Sequence, residues 1–216
     1  MKNLSHFIAC DKLLSMLVPF VTLMLVLPTD VSAQGRFSLD AHGGGAVSAG
    51  ELSAFTEVGP AFGLGIAYWF RPRVAVRIDL DTSLLSSKDS GGTSPNGSDA
   101  NLLHINVGLQ FNLTKPEATP WSVAVIAGGG ASALEVVDGQ GVFADFDETY
   151  FTLNGGLRLG YVVSRNFSIF VDGRLYLTFT DEKDTSVIGQ FAGVDPDGFS
   201  TASDIPVTVG IRFKTN

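Results

Sequence analysis

Two histidines, His42 and His104, together with scattered Asp and Arg residues, supply whatever acid–base or ion-pairing chemistry residues 34–216 possess. A histidine beside a serine hydroxyl and a carboxylate would make a hydrolase or acyltransferase. Neither histidine stands in a nucleophile motif, and the chain contains no Gly-x-Ser-x-Gly. No catalytic residue is assigned and no enzyme activity is expected. The test is whether a Ser hydroxyl and a carboxylate come within hydrogen-bond reach of either imidazole. The one cysteine, Cys10, lies in the first segment, so the rest of the chain has neither a disulfide framework nor a Cys-based zinc site.

Carboxylates crowd two stretches. One holds Glu135, Asp138, Asp145, Asp147 and Glu148; the other holds Asp181, Glu182, Asp184, Asp195 and Asp197, opposed only by Lys183. Asp195-Pro196-Asp197-Gly198 offers oxygen ligands to Ca²⁺, but the twelve-residue calcium-loop pattern is missing. A solvated acidic loop with a Pro-Asp-Gly turn is the expectation, and no metal or cofactor is assigned. Gly43-Gly44-Gly45 and Gly128-Gly129-Gly130 precede no helix start, so they are not phosphate cradles. They are expected to give tight curvature or room for a large neighbouring side chain. The net charge of −8 carries no basic footprint, which argues against nucleic acid as a partner.

Residues 1–33 read as an address. Lys2 and Lys12 open it, Leu13 to Leu27 is an apolar run, and Val31-Ser32-Ala33 places small residues before Gln34. This is the pattern of a cleaved secretory signal. The rival, a retained membrane helix, needs about 20 apolar residues, and Pro28 and Asp30 stop the run short of that. Ile8-Ala9-Cys10 superficially resembles a lipoprotein site, but its apolar stretch follows the cysteine where it should precede it. The expected division is a signal peptide at 1–33 and one β-barrel domain at 34–216.

The period after Gln34 is two, the signature of strands with unlike faces. Leu103, Ile105, Val107, Leu109, Phe111 and Leu113 share one face, against His104, Asn106, Gly108, Gln110 and Asn112. The same sorting runs through Arg73–Leu84, Phe167–Phe179 and Ile205–Phe213, and with more noise through Phe37–Val47, Phe62–Phe70 and Phe151–Tyr161. Trp121–Glu135 is the weakest segment, because its glycines and alanines blur the phase. Eight strands result. Their joins alternate in length: Arg71-Pro72, Thr114–Pro120 and Val163–Asn166 are short; Ala49–Val58, Leu85–Ser98, Val136–Glu148 and Asp181–Ala202 are longer and polar. Short turns on one side and long loops on the other fit an antiparallel up-and-down transmembrane barrel, with both termini on the short-turn side. Closure is what hydrocarbon demands, since an unpaired backbone group there costs several kcal/mol. Phe37, Tyr68, Phe70, Trp121, Tyr161, Phe167, Phe179 and Phe213, near strand ends, are the expected interfacial girdles.

With the signal to Ala33, the alternating strands, the turns Arg71-Pro72 and Ser164-Arg165-Asn166, and the last strand Val207–Phe213, the chain resembles the small OmpA/OmpX-type eight-stranded outer-membrane barrels. The resemblance covers about residues 36–213. It implies a bacterial outer-membrane location, with outer-membrane lipid and lipopolysaccharide as surroundings and the assembly machinery engaging the C-terminal strand. That family's assembly signal ends on an aromatic, whereas Lys214-Thr215-Asn216 follow Phe213 here. No peptidoglycan-binding domain is expected after the barrel.

The polar face places Asp40, His42, Arg77, Asp79, Asp81, His104, Arg158, Asp172, Arg174 and Arg212 in the lumen. An eight-stranded barrel is just wide enough for side chains to fill, so paired charges plugging the lumen are the first expectation, since an unpaired buried charge is costly. A structural or surface-interaction role through acidic extracellular loops follows, with the extracellular partner open. The alternatives are a narrow porin-like pore or small-molecule transporter, a membrane-embedded enzyme, and a soluble ligand-binding barrel with the facing reversed.

Overall fold

The computed structural model describes residues 36–54, 56–86, 98–114, 119–138, 146–181 and 200–215. Among them are eight strands: β1 (Arg36–Ala49), β2 (Gly59–Arg71), β3 (Val74–Leu85), β4 (Ser98–Asn112), β5 (Trp121–Asp138), β6 (Phe146–Val162), β7 (Phe167–Phe179) and β8 (Thr201–Lys214). Each pairs antiparallel with its sequence neighbours, and β1 pairs with β8, so the sheet closes into a barrel. The β1–β8 seam runs unbroken from Ser38↔Lys214 to Ala49↔Ser203. Closure removes the open edges that a sheet must avoid in lipid, although the β7–β8 ladder steps from Gly173↔Val207 to Tyr176↔Asp204 around Pro206, which has no N–H to donate.

The period-two pattern decides which way each residue faces. In β2, Phe62, Leu64, Ile66 and Tyr68 are exposed on the outside, while Ala61, Ala67 and Trp69 are buried within. Leu103, Leu109, Phe111 and Leu113 of the β4 row are likewise exposed outward, opposite His104, Asn106 and Gln110. A soluble barrel would bury that row, because water gives no return for an apolar exterior. The facing is therefore that of a barrel solvated by hydrocarbon.

Aromatic pairs mark the ends of this belt. Phe37–Tyr68, Trp121–Tyr161 and Phe167–Phe213 have ring centroids 5.1, 5.0 and 5.1 Å apart at the short-turn end. Phe151–Phe179, with centroids 6.0 Å apart, lies toward the other end, where Phe62 is also exposed. Of the aromatics expected in girdles, only Phe179 belongs to that far end. Phe151 and Tyr161 stand ten residues apart on β6. At about 3.3 Å rise and about 40° tilt that is roughly 25 Å along the membrane normal, the height of an outer-membrane apolar band.

Two local features differ from the sequence reading. Trp121–Glu135, its weakest segment, lies in the longest strand, β5, whose pairing with β6 continues to Val136↔Phe146. The join expected at Val136–Glu148 is correspondingly shorter, with β5 ending at Asp138 and β6 starting at Phe146. The glycines of β5 let it lie close against β4. A Cβ at Gly130 would collide with the carbonyl oxygen of Ile105 on β4, so only glycine permits the backbones to approach there. Between β1 and β2 the chain forms a 3-10 helix, Gly50–Ala54, entered at Gly50 with φ +63°. The Asp195–Gly198 turn, Cys10 and residues 1–33 lie outside the described residues.

Candidate functional site: a buried polar column

Inward positions on neighbouring strands bring the charged residues into one connected column. Near the short-turn end, Asp40 of β1 accepts from three guanidinium groups. Arg212 Nε reaches its Oδ1 at 2.7 Å, Arg77 Nη2 its Oδ2 at 3.3 Å, and Arg158 Nη1 bonds the same Oδ2. Gln110 Oε1 accepts from Arg77 Nη1 at 2.7 Å and from Arg212 Nη2 at 3.0 Å, which holds two like-charged forks apart. Arg77 also donates to Asp79 through Nε at 2.8 Å and Nη2 at 2.5 Å, the two-pronged geometry that suits a carboxylate.

One turn of the pleat further out, Asp172 accepts from Arg158 Nη2 at 2.5 Å and Arg174 Nη2 at 2.9 Å. Arg174 then reaches Asp79 at 3.2 Å and Asp81 at 3.3 Å, joining this layer to the next. Asp81 also accepts from the Tyr176 hydroxyl at 2.5 Å, and its Oδ1 lies 2.7 Å from His42 Nε2. Phe170 closes the gap beside the arginines, with the Arg158 guanidinium 3.8 Å above its ring centroid. These side chains are buried, so each charge depends on its partners rather than on water.

His104 stands in an outer layer that sequence reasoning only half anticipated. Its Nδ1 lies 2.5 Å from Ser132 Oγ and its Nε2 3.2 Å from Asp204 Oδ1, while Tyr176 stacks on the ring at a centroid distance of 4.1 Å. Ser83 Oγ donates to Asp204 Oδ2 at 2.7 Å. Asp204, Ser132, Ser83, Gln110 and Tyr176 were missed as network members. Ser132, Ser83, Gln110 and Tyr176 lie on inward faces but carry no formal charge, so a search for charged residues alone passes over them, and Asp204 falls just before Ile205, where the sequence reading starts the last strand, whereas β8 begins at Thr201.

A serine hydroxyl and a carboxylate therefore do fall beside His104. The arrangement nevertheless differs from a working triad. Ser132, His104 and Asp204 are all 0% exposed. The Asp204–His104 approach is short but not aligned as a hydrogen bond, leaving His104 Nε2 and Asp204 Oδ1 without one from the protein. A triad works through an aligned base-orienting bond and an exposed nucleophile. The layer instead ties β4, β5 and β8 together.

Apolar clusters lie at both ends of the column. At the outer end Leu52, carried by the 3-10 helix, is buried against Ala46, Ala61, Leu85, Ala100, Leu102, Leu134 and Ala202. At the short-turn end Trp69 packs with Ala67 and Ala75 and donates Nε1–H to Ser38 Oγ at 3.2 Å. No group of His, Cys, Asp and Glu suited to a metal ion occurs among the described residues.

No family model matches the sequence, and no curated protein is found similar to it. Solved structures do resemble it in fold. The crystal structure of Neisserial surface protein A superposes with a TM-score of 0.58 at 12% identity, over 84% of this chain and 100% of that one. A major outer membrane protein from Thermus thermophilus superposes at 0.57 and 12% identity, over 84% of this chain and 99% of that one.

Proposed function

We propose that this chain, having the fold of small eight-stranded outer-membrane β-barrels, is a non-enzymatic barrel of the bacterial outer membrane. Its signal at residues 1–33 would be removed, its apolar belt would face lipid and lipopolysaccharide, and its C-terminal strand would engage the assembly machinery. Its role is structural, or one of surface interaction through the acidic joins at the long-loop end.

The observation that carries the closed-lumen reading is the ion-pair column, flanked by the Leu52 cluster above and the Trp69 cluster below. A hydrated ion passing through would have to break several buried charge pairs at once, each costing about 3–5 kcal/mol when one partner is lost. Facing supports the membrane reading, because the outer row of large apolar side chains is exposed along every strand.

Planar-bilayer recording of the refolded barrel tests this. Silence is the expected result; discrete openings would replace it with the narrow-pore reading. A fluorophosphonate probe tests the non-enzymatic reading, since buried Ser132 should stay unlabelled.

A further inference from the structure

Beside the polar column lies a small cavity that the ion pairs do not fill. It has a volume of about 10 Å³; His42, Asp172, Arg174 and Thr208 line its polar side, and Ala61, Phe62 and Pro206 its apolar side. Two buried atoms of the polar side make no hydrogen bond to the protein: His42 Nδ1 and Asp172 Oδ1. The His42 side chain is 4% exposed and that of Asp172 2%. Each is thus withheld from bulk solvent yet left without a protein partner.

The surroundings explain why no side chain fills the space. His42 pairs across the seam with Gly210 on β8 and across β2 with Gly63. A Cβ at Gly63 would collide with Asp81 Oδ1 and His42 Nε2, and one at Gly210 with Phe170 and His42. The glycines admit the imidazole and the Phe170 ring, and the residual gap lies beside them.

We infer that this cavity is a binding site for a single structural water, which bridges His42 Nδ1 on β1 to Asp172 Oδ1 on β7 across the closing strand β8. The volume is about that of one water-sized sphere, and a buried water needs two to four polar partners. Asp172 is an acceptor, so the water donates to Oδ1. His42 Nε2 faces the Asp81 carboxylate, which leaves Nδ1 as the ring atom that hydrogen-bonds the water. A cation is disfavoured by the Arg174 guanidinium in the wall, and an apolar occupant by the two unpaired polar atoms. The water links the β1 and β7 arms of the network at the seam where the barrel closes.

Solid-state NMR of the isotope-labelled barrel in phospholipid bilayers tests the site through magnetisation transfer from long-lived water to the His42 ring. The expected result is a water cross-peak to His42, lost in Thr208→Leu, which fills the cavity, and retained in Thr208→Val, which keeps its size. A wild-type spectrum without that cross-peak overturns the inference, as does a cross-peak unchanged in Thr208→Leu. Should Thr208→Leu fail to fold, the wild-type spectrum decides alone.

Discussion

Three arginines, from β3, β6 and β8, converge on Asp40, the most that any carboxylate meets among the described residues. Replacing it with asparagine keeps the shape and removes the charge that holds Arg77, Arg158 and Arg212 together. Asp40→Asn should destabilise the folded barrel by about 3–5 kcal/mol, the cost of stranding buried charge, seen as a lower denaturant midpoint in detergent or lipid. Arg77→Ala should act in the same direction, since Asp79, Asp40 and Gln110 all lose a donor. If Arg77→Ala instead left stability unchanged and altered conductance, the closed column would be the wrong description.

Each strand must satisfy lipid on one face and a packed polar column on the other. Leu157 lies between Phe151 and Tyr161 on β6 and is 62% exposed on the outer face. Leu157→Arg should cost about 2–4 kcal/mol, the penalty for a charge on the lipid face near the midplane. Folding yield into bilayers, followed by heat-modifiable gel migration, measures it. A soluble barrel would tolerate that arginine, so an unaffected yield would reverse the facing. At the outer mouth, Leu52→Ala removes the side chain that the 3-10 helix buries among small residues. Faster hydrogen exchange confined to the β1–β2 connection is expected, with the bilayer still silent, because the arginine column lies beneath Leu52.

For the whole molecule, the polar column and the apolar belt depend on one another. Closure removes strand edges, and a lumen too narrow for bulk water forces every inward charge to find a partner within the wall. The apolar clusters at the two ends are built differently, around a side chain carried on a connection at one and a strand tryptophan at the other. If the segment at 1–33 is a signal, material recovered from the outer membrane should begin at Gln34. An intact Met1 terminus in mass spectrometry would sink that part of the proposal.

Strand number, strand position and facing were legible from the residues alone, because a period of two repeats along each segment and tolerates a blurred stretch such as Gly128–Gly130. The same alternation put ten charged or titratable residues on the inward face, but Asp204, buried on β8, escaped it because the last strand reads as starting at Ile205. Which of them meet was not legible. Asp40 and Arg212 are 172 positions apart in the chain, and Ser83 and Asp204 are 121 apart. Register across the sheet and the β1–β8 seam bring them together, and both are properties of closure rather than of any single strand. The same holds for Leu52, whose segment reads as an ordinary polar join until the mouth of the barrel supplies the apolar ring it fills. Alternation is a local property of the chain, whereas pairing inside a closed cylinder depends on strands far apart in sequence, so only the tertiary structure decides it.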